Sequence, residues 1–331
     1  MEKVRSMTPI SLVCSDLHMS DNPRDAYRFA FLEEKLPHLI KQHKVTEVLL
    51  LGDLTEQKDY HGAKLVNRIV NGLDQVAHLA KLTILMGNHD GAEPDSPFFE
   101  FLHRVPNITF ISKPTRIEAA MYLPHSRDPK RDWKGLNFDG IKIIFAHQTF
   151  AGAVGSFGRK LEGADLRWLP DVRIISGDVH VPQSFENLTY VGSPLTIDFG
   201  DDYEGRVLLI EGASRKSIKI RLPQKWLIRV DDLAQLPRGQ FSASDLVRVE
   251  VPIKRADYAH WDSVKRLVAA WCADDRLQLE SAVPLIVDKK TKPKSKREIH
   301  DAIPDHEILA EYAKLNGIDE RTLAVGQELL T

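Results

Sequence analysis

Five short polar clusters carry the residues of this chain that could do chemistry. They are Ser15-Asp16-Leu17-His18, Leu51-Gly52-Asp53-Leu54, Gly87-Asn88-His89-Asp90, Ala146-His147 and Gly177-Asp178-Val179-His180. Asp16 and His18 stand two residues apart, so at a strand end both can project toward one metal ion. Asp53 offers two carboxylate oxygens and could bridge a pair of ions. Asn88 adds a neutral carbonyl oxygen, His147 and His180 add imidazoles, and Asp178 is a possible carboxylate ligand. Mixed oxygen and nitrogen donors suit manganese, iron or zinc better than magnesium or calcium. Two such ions about 3.5–4 Å apart can clamp a phosphate and activate a water for in-line attack. Each motif alone is weak, since a Gly-Asp after a strand is often only a turn. Their joint placement at successive strand ends carries the inference.

His89 follows Asn88 directly and could protonate a leaving oxygen. Alternatively it orders the loop or hydrogen-bonds Asp16 or Asp53. Asp90 reads as a supporting residue that orients a histidine. His38, His43, His61 and His78 fall on or near helical stretches, where surface or packed histidines are commoner than ligands; His125 reads more simply as structural than as a substrate contact. Gly152, Gly155 and Gly158 recur in a stretch without the Lys-Ser or Lys-Thr ending of a phosphate-binding loop. Residues 149–163 read as a flexible rim, with Arg159 and Lys160 available to phosphates.

The elements that must position these residues follow from periodicity. Residues 10–14, 48–51 and 83–86 are short apolar runs that read as buried strands. Residues 27–40 and 62–81 between them have helical spacing. Runs at 141–146 and 172–176 end at His147 and Gly177, and 188–191, 195–199, 206–210 and 218–221 read as further short strands. This is the pattern of an α/β core, whose sites lie beyond the carboxyl ends of the strands. A composition shift at 230–245 marks a boundary, after which strand (246–253), helix (261–271) and strand (277–287) make a small α+β unit. Residues 289–297 hold six basic residues and no acidic one, and 308–315 and 321–330 are amphipathic.

Charge is balanced, with 45 Lys and Arg against 47 Asp and Glu, so a nucleic-acid surface would need local segregation of charge. Cys14 and Cys272 have neither zinc-knuckle spacing nor the density of a disulfide scaffold, and read as free thiols. The start of the chain lacks a signal-like apolar segment, and a soluble cytoplasmic protein without membrane contact is expected.

The five clusters, in this order, resemble the signature of calcineurin-like metallophosphoesterases. Within that superfamily the chain most resembles the SbcD-type DNA repair nucleases and their phage counterparts. Tyr190-Val191-Gly192-Ser193-Pro194, Phe199 and Gly205-Arg206-Val207-Leu208-Leu209-Ile210-Glu211 are similar to the close of that catalytic domain. The resemblance implies a four-layer α/β/β/α sandwich with a small α+β capping domain and C-terminal helices. Residues 1–230 would be catalytic, 231–288 would form the capping and DNA-binding domain, and 289–331 a basic linker and helices that dock an ATPase. Asp16, His18, Asp53 and His180 would hold one manganese ion, and Asp53, Asn88, His147 and residue 178 a second, with iron, zinc or magnesium as alternatives. His89 would serve the leaving group. Two departures stand out: Asp178 replaces the usual histidine, and Ala146 a usual glycine. The implied activity is a manganese-dependent DNA exonuclease and endonuclease of repair, recombination or phage DNA metabolism. The implied setting is a homodimer with an SMC-like, SbcC-type ATPase in the cytoplasm of a bacterium or phage-infected host. Two other readings are a small-molecule or cyclic-nucleotide phosphodiesterase, and a weakly catalytic subunit that binds DNA or its ATPase.

Overall fold

The computed structural model describes residues 9–93 and 96–287. Its first half runs β1 (Ile10–Cys14), α1 (Leu36–His43), β2 (Glu47–Leu50), α2 (Ala63–Leu79), β3 (Lys81–Leu85), β4 (Ile108–Ile111), β5 (Thr115–Ile117) and β6 (Ala120–Leu123). A single turn, α3 (Pro129–Asp132), leads to β7 (Ile143–His147), β8 (Arg173–Gly177), β9 (Gln183–Phe185), β10 (Leu188–Tyr190), β11 (Arg206–Glu211) and β12 (Ser214–Lys219). β13 (Lys225–Arg229), β14 (Leu246–Ile253), α4 (Trp261–Asp274) and β15 (Gln278–Ile286) complete the described chain. Among the described residues the chain divides into two compact units, 9–252 with 260–284, and 253–259 with 285–287. In the second unit the Val287 N–H donates to the Ile253 carbonyl.

Two six-stranded sheets, ordered β12-β11-β1-β2-β3-β4 and β5-β6-β7-β8-β10-β9, form the core. Strands β1 to β4 pair in parallel, as do β6, β7, β8 and β10. Their side chains are apolar on both faces because both faces are covered. The strand period of two sorts them. Leu12, Val48, Leu50 and Ile84 face α1 and α2. Val13, Leu49, Leu51, Phe145 and Ile175 fill the space between the sheets. Ile144, Ala146 and Ile174 pack outward on Trp133, Phe150 and Leu169. The order is thus helix, sheet, sheet, outer layer, as expected. Short turns, including α3, make most of the fourth layer. Along α2, Leu65, Ile69, Leu73 and Val76 recur on the one buried face.

Residues 27–40 are helical with changes of pitch. A 3-10 turn (Pro23–Arg28) and a π turn (Phe31–Lys35) precede α1. Pro37 has no N–H for the Glu33 carbonyl, and the turn before it widens so that the Leu36 N–H reaches the Phe31 carbonyl. Residues 195–199 do not form the strand that their apolarity suggested. The Asp201 carboxylate accepts the N–H groups of Ile197 and Asp198 at 2.9 and 2.8 Å, which folds the segment into a loop.

The third sheet, β13-β14-β15, carries α4. Val247, Val249, Val268, Trp271 and Cys272 form its buried side. It takes its first strand from Lys225–Arg229, ahead of residue 231. The amphipathic stretches at 308–315 and 321–330 and the basic run 289–297 lie outside the described residues. No helix among the described residues is long and apolar enough to cross a membrane.

Candidate metal centre

Parallel pairing brings the five polar clusters to one edge. Cys14 is in register with Leu50, so the Asp16 and Asp53 loops leave the first sheet side by side, and His147 is in register with Gly177 in the second. The Asp16 and Leu17 N–H groups donate to the Gly52 and Asp53 carbonyls, fastening the first two loops together. Four of the site residues hold left-handed backbone: Asp16 (φ 58°), His18 (φ 44°), Asp53 (φ 55°) and Asp178 (φ 77°). Non-glycine residues there are uncommon, and the conformation turns each side chain sharply off its strand end. Gly52, at φ +90°, must be glycine for a second reason. A Cβ there would lie 2.3 Å from His147 Nδ1.

Asp53 stands between two groups of donors. Its Oδ2 is 3.5 Å from His18 Nε2 and its Oδ1 is 3.4 Å from His147 Nε2. His180 Nε2 lies 3.1 Å from His18 Nε2, and donor atoms of Asp16, His18 and His180 all fall within 4.8 Å of one another. The same spacing holds for Asp16, Asp53 and His147, and for His18, Asp53 and His89. The Asn88 oxygen is 2.9 Å from His147 Nε2, and the same end of its amide faces Asp53 Oδ2 at 3.3 Å and Asp178 Oδ1 at 3.2 Å. Four lone-pair donors aimed at one point repel unless a cation lies among them. With the amide turned over, the two hydrogens of its NH2 could serve two of these three neighbours. The first orientation fits a metal ligand.

Further observations agree with a demand for positive charge. Asp16 Oδ2 is buried without a hydrogen-bond partner. Burial raises the Asp16 carboxyl above its ordinary range, against the pull of His147, His180 and His18. Burial would also raise Asp53, yet His147, His18 and His89 outweigh it and hold that carboxyl well below the usual range. Burial opposes charge on His147, but Asp53, Asp178 and Asp16 raise its basicity well above normal. The clusters are compatible with two divalent ions.

Supporting groups orient the donors. His147 Nδ1–H donates to the Leu51 carbonyl, which leaves Nε2 facing the site. Asp90 is fully buried and accepts the N–H groups of Asp53, Leu54 and Gly87 at 2.9, 2.9 and 2.7 Å. It therefore ties the Asp53 loop to the Asn88 loop, supporting the site through backbone groups and not through a histidine. Burial, together with the Asp53 charge, lifts its pKa to about 6. Asp178 divides its carboxylate: Oδ2 accepts the Thr149 hydroxyl, and Oδ1 lies 3.7 Å from His147 Nε2.

Residues 149–163 form a pinned ribbon. Phe150 bridges Ala164, Val154 bridges Lys160, and Gln183 both accepts from the Val154 N–H and donates to its carbonyl, at 2.8 and 2.6 Å. Arg159 and Lys160 are exposed on its outer limb, with no ion pair among the described residues. At its tip Phe157 is 74% exposed with φ 60°. The neighbouring Ser156 donates to Asp201, whose carboxylate lies within 4.8 Å of a His180 nitrogen. His125 comes closer to the site than expected, its ring 6.3 Å from that of His147. Sequence reasoning missed Glu56 and Arg28. Glu56 is three residues beyond Asp53, the only signal that could have drawn attention to it.

A two-sheet α/β sandwich with His and Asp clusters at one strand-end edge is compatible with a metal-dependent phosphoesterase. Residues 11–210 match the family described as calcineurin-like phosphoesterase, and the chain belongs to that family. It is similar to "Putative phosphoesterase 078R" of Invertebrate iridescent virus 3, with 24% identity over 192 residues, 53% of this chain and 54% of that protein. It is also similar to "Putative phosphoesterase 244L" of Invertebrate iridescent virus 6, with 28% identity over 180 residues, 48% of this chain and 61% of that one. The chain thus spans little more than half the length of these relatives.

Proposed function

We propose that this phosphoesterase is a manganese-dependent DNA nuclease that cuts phosphodiester bonds with two ions. The observation that carries the two-ion reading is Asp53, set at 3.5 and 3.4 Å from histidines of two separate clusters. The DNA reading is supported by the ordered motifs over residues 10–211, which resemble SbcD-type nucleases, and by the β13-β14-β15 sheet, which follows the catalytic core as a cap does in that family. In this reading Asp16, His18, Asp53 and His180 hold one ion, and Asp53, Asn88, His147 and Asp178 the other. Two bound ions would clamp the scissile phosphate and lower the pKa of an attacking water.

The chain's own groups do the rest. Glycine at position 52 leaves room for His147 to approach, while the Asp90 clamp keeps Asp53 beside Asn88. His89 commits its Nδ1–H to the Glu56 carbonyl at 2.6 Å, which leaves Nε2 free of that bond. A proton on that Nε2 can pass to the departing oxygen. Arg159 and Lys160, exposed on the 149–163 ribbon, would meet flanking phosphates. A homodimer and an SMC-like ATPase partner, docking through residues 302–331, belong to the same proposal.

The test is cleavage of labelled single- and double-stranded DNA with manganese, beside bis-p-nitrophenyl phosphate. Metal-dependent cleavage of both substrates is expected. Hydrolysis of the small diester with DNA left intact would refute the nuclease reading and favour a small-molecule phosphodiesterase.

A further inference from the structure

Glu56 touches two histidines of the site by two different groups. Its side-chain Oε2 lies at ion-pair distance, 3.1 Å, from His18 Nδ1, a buried nitrogen that no aligned hydrogen bond reaches. Its backbone carbonyl lies 2.6 Å from His89 Nδ1. A carboxylate and a carbonyl only accept, so each Nδ1 is a protonated nitrogen; His18 Nε2 is left to offer its lone pair to a metal ion, and His89 Nε2 to carry the second proton that an acid needs. His18 Nε2 faces the donor cluster, 3.5 Å from Asp53 and 3.1 Å from His180, and a ring nitrogen of His89 lies within 4.8 Å of donor atoms of His18 and Asp53. The two rings meet edge to face, with centroids 4.8 Å apart.

Glu56 is itself held in place. Its N–H donates to the Met19 carbonyl at 3.0 Å, and Met19 and Thr55 form a bridge between the two loops. Arg28, buried behind the site, reaches Glu56 Oε2 at 3.7 Å and donates to the His18 carbonyl. The same guanidinium is fixed by Asp25 at 3.1 Å, and Asp25 by Lys225 at 3.1 Å. The carboxylate facing His18 is therefore anchored against the body of the protein.

We propose that Glu56 is a positioning residue for both histidines. Its side chain fixes the ring and tautomer of His18 for a metal ion, and its backbone carbonyl fixes His89. The inference rests on the metal reading of the site and is independent of which phosphodiester is cut. The two holds are separable, because substitution removes the side chain and leaves the carbonyl.

The test is manganese titration of the full chain by calorimetry, with thermal unfolding and the pH profile of bis-p-nitrophenyl phosphate hydrolysis alongside. In Glu56→Ala one of the two affinities should fall on the order of 10- to 100-fold, the usual cost of losing a group that orients a ligand. The other should stay near wild type, and the pH profile should keep its shape. Glu56→Gln, whose amide oxygen still accepts, should restore most of the loss. Glu56→Met keeps the bulk without the acceptor and should behave as Ala does, including where Ala folds poorly. Wild-type affinity at both sites in Glu56→Ala and Glu56→Met would overturn the proposal. So would an equal loss at both sites, or recovery in Met, since each assigns Glu56 to packing. A wild-type chain that binds no manganese refutes the metal reading itself, and this role with it.

Discussion

Gly87→Ala tests how closely the donors are packed. A Cβ at residue 87 would sit 2.2 Å from Asp53 Oδ1, 2.5 Å from the Asp53 backbone nitrogen and 2.9 Å from His147 Cε1. To regain ordinary contact at 3.4 Å the carboxylate oxygen must retreat by about 1.2 Å. The backbone nitrogen cannot swing aside, because Asp90 holds it and also the Gly87 N–H. Overpacking of this kind costs about 1–3 kcal/mol in stability. Metal ligands tolerate displacements of only about 0.2 Å, and a misplacement near 1 Å can cost on the order of 100-fold in rate. The chelated variant should therefore fold with a stability loss in that range. Loaded with manganese, it should bind at least one ion more weakly and lose about two orders of magnitude in diester hydrolysis. Urea unfolding of the chelated protein, calorimetric titration and bis-p-nitrophenyl phosphate turnover measure the three quantities. Wild-type stability together with two wild-type metal affinities would show that Asp53 and Gly87 are not packed as described.

Three further outcomes are expected. Replacing His89 by Gln should lower cleavage about 100-fold or more while both ions remain bound, and loss of an ion by metal analysis would make His89 a ligand instead. Asp178→Ala should weaken one ion, whereas Asp178→His should keep two and shift preference from manganese toward zinc; unchanged occupancy and rate in the Ala variant would place Asp178 outside the working centre. Phe157→Ala should raise KM for an oligonucleotide about fivefold or more, as loss of one base-stacking ring does, with no change for bis-p-nitrophenyl phosphate. An equal effect on both substrates would assign the ring to the loop's own structure.

The motifs were legible because two signals coincide: apolar runs of strand length, and Asp, His or Asn directly beyond them. That was enough to place Asp16, His18, Asp53, Asn88, His147 and His180 along one edge, since parallel strands must present their carboxyl ends together. The helical repeat of 63–79 was likewise readable from Leu65, Ile69, Leu73 and Val76. What tertiary structure decided are relations between residues far apart in the chain. No local pattern shows that Glu56 faces His18, that Asp90 clamps two loops, or that Asp178 shares its carboxylate with Thr149. The ribbon at 149–163 looked loose because glycines recur in it, but Gln183, Tyr190 and Asp201 pin it from outside. The segment 195–199 has strand-like apolarity, yet one buried carboxylate four residues from Ile197 binds its N–H groups and folds it into a loop. Periodicity reports which face of an element is buried. Which distant polar group meets a given N–H or imidazole is set only when the sheets have formed.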